Sequence, residues 1–204
     1  LGGSLGMACR QRHLAAEVIG VGRNAQRLAR AQALGAVDRF TTDAREGFAQ
    51  ADFIVLAAPV QTILDILPLV RDVAPAGALV TDVGSAKSSI MGAAETVFAG
   101  SRVHFIGSHP MAGSERTGVE NARADLYRGA PVYLTPQPAD SNRWDGLPGK
   151  ANSQPQADDN LSMPGSPPTD AAIERLIRFW TALGAHVTVM PARRHDRLVA
   201  FLSH

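Results

Sequence analysis

Short apolar runs alternate with amphipathic stretches along most of the chain. Glu17-Val18-Ile19-Gly20-Val21, Phe53-Ile54-Val55-Leu56-Ala57, Ala78-Leu79-Val80-Thr81-Asp82, Val103-His104-Phe105-Ile106, Pro131-Val132-Tyr133-Leu134-Thr135 and His186 to Val189 read as strands. Met7 to Arg12 reads as a short helix, and Asn24 to Leu34 as a longer one that Asn24 caps and Gly35 ends. Gln61 to Val73 carries helical apolar spacing at Ile63, Leu64, Leu67 and Val70, with Pro68 inside it. Ser88 to Phe98 and Asp170 to Leu183 are further helices, and Pro191 opens a last one.

Strands without polar alternation, separated by helices, indicate a mostly parallel sheet covered on both faces. Right-handed crossovers then give an α/β fold, a doubly wound sheet of Rossmann type. Ligands in such sheets bind beyond the carboxyl ends of the strands. Those ends are Val21-Gly22-Arg23, Ala58-Pro59-Val60, Val83-Gly84-Ser85 and Gly107-Ser108-His109, all rich in Gly, Pro, Ser or His. Residues 137–169 break the pattern. They hold six of the 13 prolines and almost no bulky apolar residue, so they read as a disordered surface insertion. The expected organisation is a dinucleotide-binding domain over residues 1–190, containing that insertion, and the start of a linker helix over 191–204.

Composition narrows the function classes. The 204 residues are 45% hydrophobic, enough for a core. Net charge is +1, which gives no bulk electrostatic reason to bind nucleic acid or an anionic membrane. One cysteine, Cys9, excludes an intrachain disulfide framework and a cysteine zinc cluster, and no metal is expected. Cys9 is expected to pack as a small hydrophobe. No apolar run approaches the ~20 residues that span a bilayer, and a cytoplasmic location is expected. The chain opens on Leu1-Gly2-Gly3-Ser4-Leu5-Gly6 and closes on Phe201-Leu202-Ser203-His204, and neither end reads as a domain boundary.

Four segments can carry chemistry. Gly2 fits the last glycine of a G-x-G-x-x-G dinucleotide fingerprint, although two adjacent glycines also make an ordinary turn. About 20 residues later, where an NAD-selective site usually has Asp or Glu, stand Gly22 and Arg23. Losing the carboxylate and gaining a cation leans toward NADP, unless Arg23 is only a solvated loop residue. Val83-Gly84-Ser85-Ala86-Lys87 follows the third strand; Gly84 lets the backbone turn, and Ser85 and Lys87 can point into the crevice. Ser85 also fits as a helix cap. His109, held against Pro110 at the end of the fourth strand, is a candidate acid/base. His13, His104 and His186 lie on helix or strand segments without such surroundings and read as structural.

These segments together resemble the prephenate/arogenate dehydrogenase family. The resemblance rests on Leu1-Gly2-Gly3-Ser4-Leu5, Ala58-Pro59-Val60, Asp82-Val83-Gly84-Ser85-Ala86-Lys87 and His109-Pro110-Met111-Ala112-Gly113-Ser114-Glu115, in that order. Gly118-Val119-Glu120-Asn121-Ala122, Asp125-Leu126-Tyr127, His195-Asp196, Val199-Ala200 and Ser203-His204 continue it.

The resemblance implies oxidation of prephenate or arogenate with NAD(P)+, giving 4-hydroxyphenylpyruvate or tyrosine and CO2 in tyrosine biosynthesis. It implies that His109 takes the proton of the C4 hydroxyl and that Ser85 helps hold both. Ser114 and Glu115 would lie near the substrate side chain or the entrance. Gly2, Gly3, Ser4, Leu5, Gly22, Arg23, Ala58, Pro59, Val60 and Gly84 would line the cofactor. It also implies a first strand ahead of Leu1 and a helical domain after His204 that makes a homodimer. The alternatives are another β-hydroxyacid-type NAD(P) dehydrogenase, or a nucleotide-binding module without catalysis.

Overall fold

The computed structural model describes residues 1–113, 118–137 and 170–202. Of the 137–169 segment only Gln137 falls among them, so the reading of that segment as a disordered insertion lies outside the described residues.

Helix α1 runs from Gly2 to Gln11, five residues earlier than its apolar pattern predicts. Glycine is a poor helix former, but close packing outweighs propensity here. A Cβ on Gly6 would stand 2.0 Å from the carbonyl oxygen of Ala36, so only glycine lets α1 approach that loop. Strand β1 (Ile19–Val21) leads to α2 (Ala25–Ala33), where Asn24 accepts a hydrogen bond from Arg27 N and Gly35 follows at φ 76°. Strand β2 (Arg39–Thr41) and helix α3 (Ala44–Ala49) come next; at three and six residues they are too short to show a period in the sequence. Asp43 caps α3 through Arg45 N and Glu46 N.

Strand β3 (Phe53–Leu56), helix α4 (Val60–Val73), strand β4 (Leu79–Asp82) and helix α5 (Lys87–Val97) follow as their patterns predict, and α4 runs unbroken through Pro68. The single strand expected over Val103–Ile106 is two: β5 (His104–Phe105) and β6 (Gly107–Pro110). A short 3-10 turn at Val119–Asn121 precedes β7 (Pro131–Thr135). Helix α6 (Asp170–Ala182), strand β8 (His186–Val189) and helix α7 (Ala192–Leu202) close the order.

The strands form three hydrogen-bonded sets. β1 pairs with β2 in parallel, and β3-β4-β5 is parallel throughout. β7 lies antiparallel to β6 and parallel to β8. The break between β5 and β6 is where this strand changes partners. Ile106 N still bonds Val80 O at 3.0 Å; beyond it, the Ser108 hydroxyl donates to Asp82 O at 2.5 Å and accepts from Thr81 Oγ1 at 3.0 Å. Side chains replace the backbone ladder at the point where His109 emerges.

Alternation along β4 feeds two cores. Leu79 joins one with α1 and α6, through Leu5, Ala8, Ile173, Leu176 and the fully buried Trp180. Val80 joins the other with α3, α4 and α5, through Phe48, Ile63, Leu67, Ile90 and Phe98. The central sheet is therefore covered on both faces, as a doubly wound fold requires. Cys9 is a buried member of the first core, and burial raises its thiol pKa to about 11, so it packs as a hydrophobe. No helix among the described residues is long and apolar enough to cross a membrane.

Candidate active site

The carboxyl ends of β3, β4 and β6 and the start of α1 lie at one edge of the sheet. Gly2 begins α1 in close contact with the end of β3, since a Cβ there would stand 3.0 Å from the Ala57 Cβ. The first amides of α1 have no partner inside the helix and form a donor set suited to an anion. A cleft of about 210 Å³ opens beside them, lined by Leu1, Gly3, Ser4, Gly113 and the 118–126 loop. A second, of about 400 Å³, is lined by Gln26, Arg27 and Arg30 of α2 and by Glu120, which lies 3.7 Å from Arg30, and shares Gly118 and Val119 with the first. Together they run from α1 to α2, a shape suited to an extended ligand. Neither is lined by His109.

The predicted cofactor residues divide within this arrangement. Gly2 and Gly3 lie at the helix start. The Ser4 hydroxyl is buried and accepts from Arg123 N at 3.0 Å, and Leu5 is a core side chain whose amide bonds Leu1 O. Ser4 and Leu5 thus fasten α1 to the fold. Gly22 is half-buried at the end of β1 and Arg23 beside it is exposed. Ala58, Pro59 and Val60 form the turn from β3 into α4, with Pro59 at the cap position. Gly84 is held tightly: its amide donates to Asp82 Oδ2 at 2.8 Å, and a Cβ there would meet Ile90 Cδ1 at 2.7 Å.

Lys87 corrects the sequence reading. It does not point into the crevice but is fully buried, ion-paired with Asp82, and donates to Ser108 O at 2.8 Å. Burial pulls the Asp82 pKa up and the Lys87 pKa down, and each opposes the shift in the other. Ser108 N also donates to Asp82 Oδ1, at 3.2 Å. The buried pair therefore holds the residue immediately before His109.

His109 is half-buried on β6, and its Nδ1 lies 2.9 Å from His195 Nε2. His195 is fully buried on α7, with its Nδ1 2.8 Å from Asp196 Oδ1. Asp196 in turn accepts from Lys87 N at 2.9 Å and Ser88 N at 2.8 Å, the first two amides of α5. Burial, then the neighbouring His195 and Lys87, lower the His109 pKa to about 4, against an opposing pull from Asp196. Burial also lowers that of His195, which Asp196 opposes. Burial would raise Asp196, but hydrogen bonds from Ser88, His195 and Lys87 hold it at about 2.

Ser85 is exposed at the end of β4 and, among the described residues, makes no hydrogen bond to His109, whose Nδ1 is engaged by His195. Ser114 and Glu115 lie outside the described residues. His13, His104 and His186 make no part of this cluster; His13 sits past the end of α1 at φ 53°, not on a helix. What sequence reasoning missed is the depth of His195-Asp196. In the sequence the pair sits inside a polar run, Arg193 to Arg197, at the start of the last helix, and nothing there shows which strand that helix packs against.

Residues 5–145 match the family described as "Prephenate dehydrogenase, nucleotide-binding domain". The chain is 28% identical over 205 residues to a prephenate dehydrogenase of Bacillus subtilis (strain 168), with 100% of this chain and 47% of the relative covered. It thus spans about half the length of that relative. Among solved structures, Synechocystis arogenate dehydrogenase superposes with a TM-score of 0.78 at 27% identity, covering 100% of this chain and 60% of that one. Prephenate dehydrogenase from A. aeolicus in complex with hydroxyphenyl propionate and NAD+ superposes with a TM-score of 0.74 at 25% identity, covering 96% and 58%.

Proposed function

The chain belongs to the prephenate dehydrogenase family, as its nucleotide-binding domain, and from that membership we propose that it binds NAD(P)+ and supplies the base for oxidative decarboxylation of prephenate or arogenate in the intact enzyme. The observation that carries the reading is His109: half-buried at a strand's carboxyl end, and with a pKa low enough to be a neutral proton acceptor at pH 7.

Bound NAD(P)+ supplies the hydride acceptor. His109 takes the proton of the C4 hydroxyl as carbonyl character develops there. The ring carboxylate leaves as CO2, its electron pair aromatises the ring, and the phenolic oxygen recovers a proton from His109. Atoms and charge then balance for 4-hydroxyphenylpyruvate from prephenate or tyrosine from arogenate. The amides of α1 and the glycine start at Gly2 suit the cofactor's pyrophosphate. Ser85 at the mouth, with Ser114 and Glu115 of the His109 motif, belongs to the substrate side of the proposal.

Gly22 and Arg23, with no carboxylate at the ribose position, favour NADP+; Arg27 lines the adjoining cleft, where Arg30 is paired with Glu120. A homodimer of the intact enzyme stays part of the proposal. Rates of the intact enzyme with prephenate and arogenate, each against NAD+ and NADP+, test the function. Turnover in at least one of the four combinations is expected, and is faster with NADP+; none in any would sink the reading.

A further inference from the structure

We propose that Asp196 and His195 act as positioning residues that fix which ring nitrogen of His109 carries the proton, leaving Nε2 as its basic nitrogen. The proposal rests on the reading of His109 as the base.

The donor and acceptor roles follow in sequence from Asp196. An ionised carboxylate only accepts. Asp196 is fixed by the two amides that open α5, Lys87 N at 2.9 Å and Ser88 N at 2.8 Å, and it sits where the helix dipole favours negative charge. His195 Nδ1, 2.8 Å from Asp196 Oδ1, must therefore hold a hydrogen. The Nε2 of a neutral His195 is then a lone pair. It faces His109 Nδ1 at 2.9 Å, a contact that needs one hydrogen, so His109 carries its own on Nδ1. The remaining nitrogen of His109, Nε2, then carries the lone pair and is the basic one. Because His195 is fully buried, water does not replace it as the acceptor.

The surroundings support one state of this relay. Tyr133 packs edge-on against His195, with ring centroids 5.6 Å apart. The Lys87 ammonium on α5 is turned toward Asp82 and Ser108 O; its charge opposes a proton on His195, while Asp196 on α7 and the more distant Asp82 favour one. A proton added to His195 would reverse the chain. His195 Nε2 would then donate to His109 Nδ1, the hydrogen of neutral His109 would move to Nε2, and the base would be lost. The two imidazoles thus titrate as a unit, and burial keeps both neutral at pH 7.

Two variants of the intact enzyme separate positioning from packing. The amide of His195→Gln can accept from His109 Nδ1–H and donate to Asp196. His195→Leu keeps bulk but offers no acceptor. We expect kcat to fall about 10²–10⁴-fold in His195→Leu with KM nearly unchanged, the size of a tautomer error at a catalytic imidazole, and to stay within about tenfold in His195→Gln. In 15N-histidine-labelled wild-type enzyme, His109 should show the Nδ1-protonated tautomer, and His195→Leu should lose that preference. His195→Leu with wild-type kcat, His195→Gln folded yet as slow as His195→Leu, or an Nε2-protonated His109 in the wild type would each overturn the proposal. Should His195→Leu fail to fold, the wild-type tautomer and the His195→Gln rate still decide it. Activity retained by His109→Asn would instead defeat the base assignment, leaving the tautomer measurement to judge the relay by itself.

Discussion

Lys87→Met strips the counter-charge from a carboxylate with no access to water. Asp82 and Lys87 are both fully buried, and Asp82 has two further donors, Gly84 N at 2.8 Å and Ser108 N at 3.2 Å. Removing one partner of a buried pair costs about 3–5 kcal/mol, because the other charge stays behind unpaired. At about 2–4 °C per kcal/mol for a domain of this size, the melting temperature should drop by roughly 6–20 °C. The pH dependence gives a sharper check. Burial raises the Asp82 pKa in the folded state, and it rises further without Lys87. A raised folded-state pKa leaves stability intact below the unfolded value near ~4 and removes it as pH climbs through the folded value. The gap between Lys87→Met and wild type should thus be wide at pH 7 and narrow toward pH 4, by circular dichroism melts of the intact enzyme. Adding Asp82→Asn should recover most of the loss, since no charge is then stranded. A Lys87→Met melting temperature within 2 °C of wild type at pH 7, or a gap that does not narrow in acid, would refute the reasoning.

Gly22→Asp should fit without strain, since the nearest atoms its Cβ would meet belong to the Leu28 side chain, at 3.5 Å and beyond. It should lower the ratio of NADP+ to NAD+ efficiency about thirtyfold, from repulsion of a doubly charged 2′-phosphate at ~1 kcal/mol per charge pair; an unchanged ratio removes Gly22 from the selectivity argument. Gly6→Ala places a carbon 2.0 Å from Ala36 O and should cost about 1–3 kcal/mol in urea unfolding, whereas wild-type stability would show that α1 is not seated so closely. The His109 pKa of about 4 predicts that kcat/KM holds through pH 6 and falls only as pH approaches 4, where the base takes a proton; a fall centred on pH 6.5 would mean a solvated imidazole.

The long elements were legible because burial imposes their period. β7 and β8 match their predicted spans, as does the start of α6, since each alternation or helical stripe answers to the first core, while α7 starts at Ala192, one residue after the Pro191 that announces it. β2 and α3 were invisible for lack of length. β6 was hidden because Gly-Ser-His-Pro looks like a loop, and only the apolar β7 beside it makes it a strand. His109 stood out through its glycine and proline neighbours. The rest of the site depends on contacts distant in sequence. Lys87 looked available, yet a carboxylate five residues earlier draws it inward. His195 and Asp196 reach His109 and α5 across 86 and 109 residues, a separation no local pattern encodes.

The central claim is that His109 moves the proton of the substrate hydroxyl. His109→Asn keeps the polarity and approximate size of the side chain but removes its basic nitrogen. Turnover of the intact variant should be measured on prephenate and arogenate, together with its cofactor dissociation constant. The account predicts a rate lower by about 10²–10⁴-fold with cofactor binding within about twofold of wild type. A variant that turns over at a rate near wild type would contradict it.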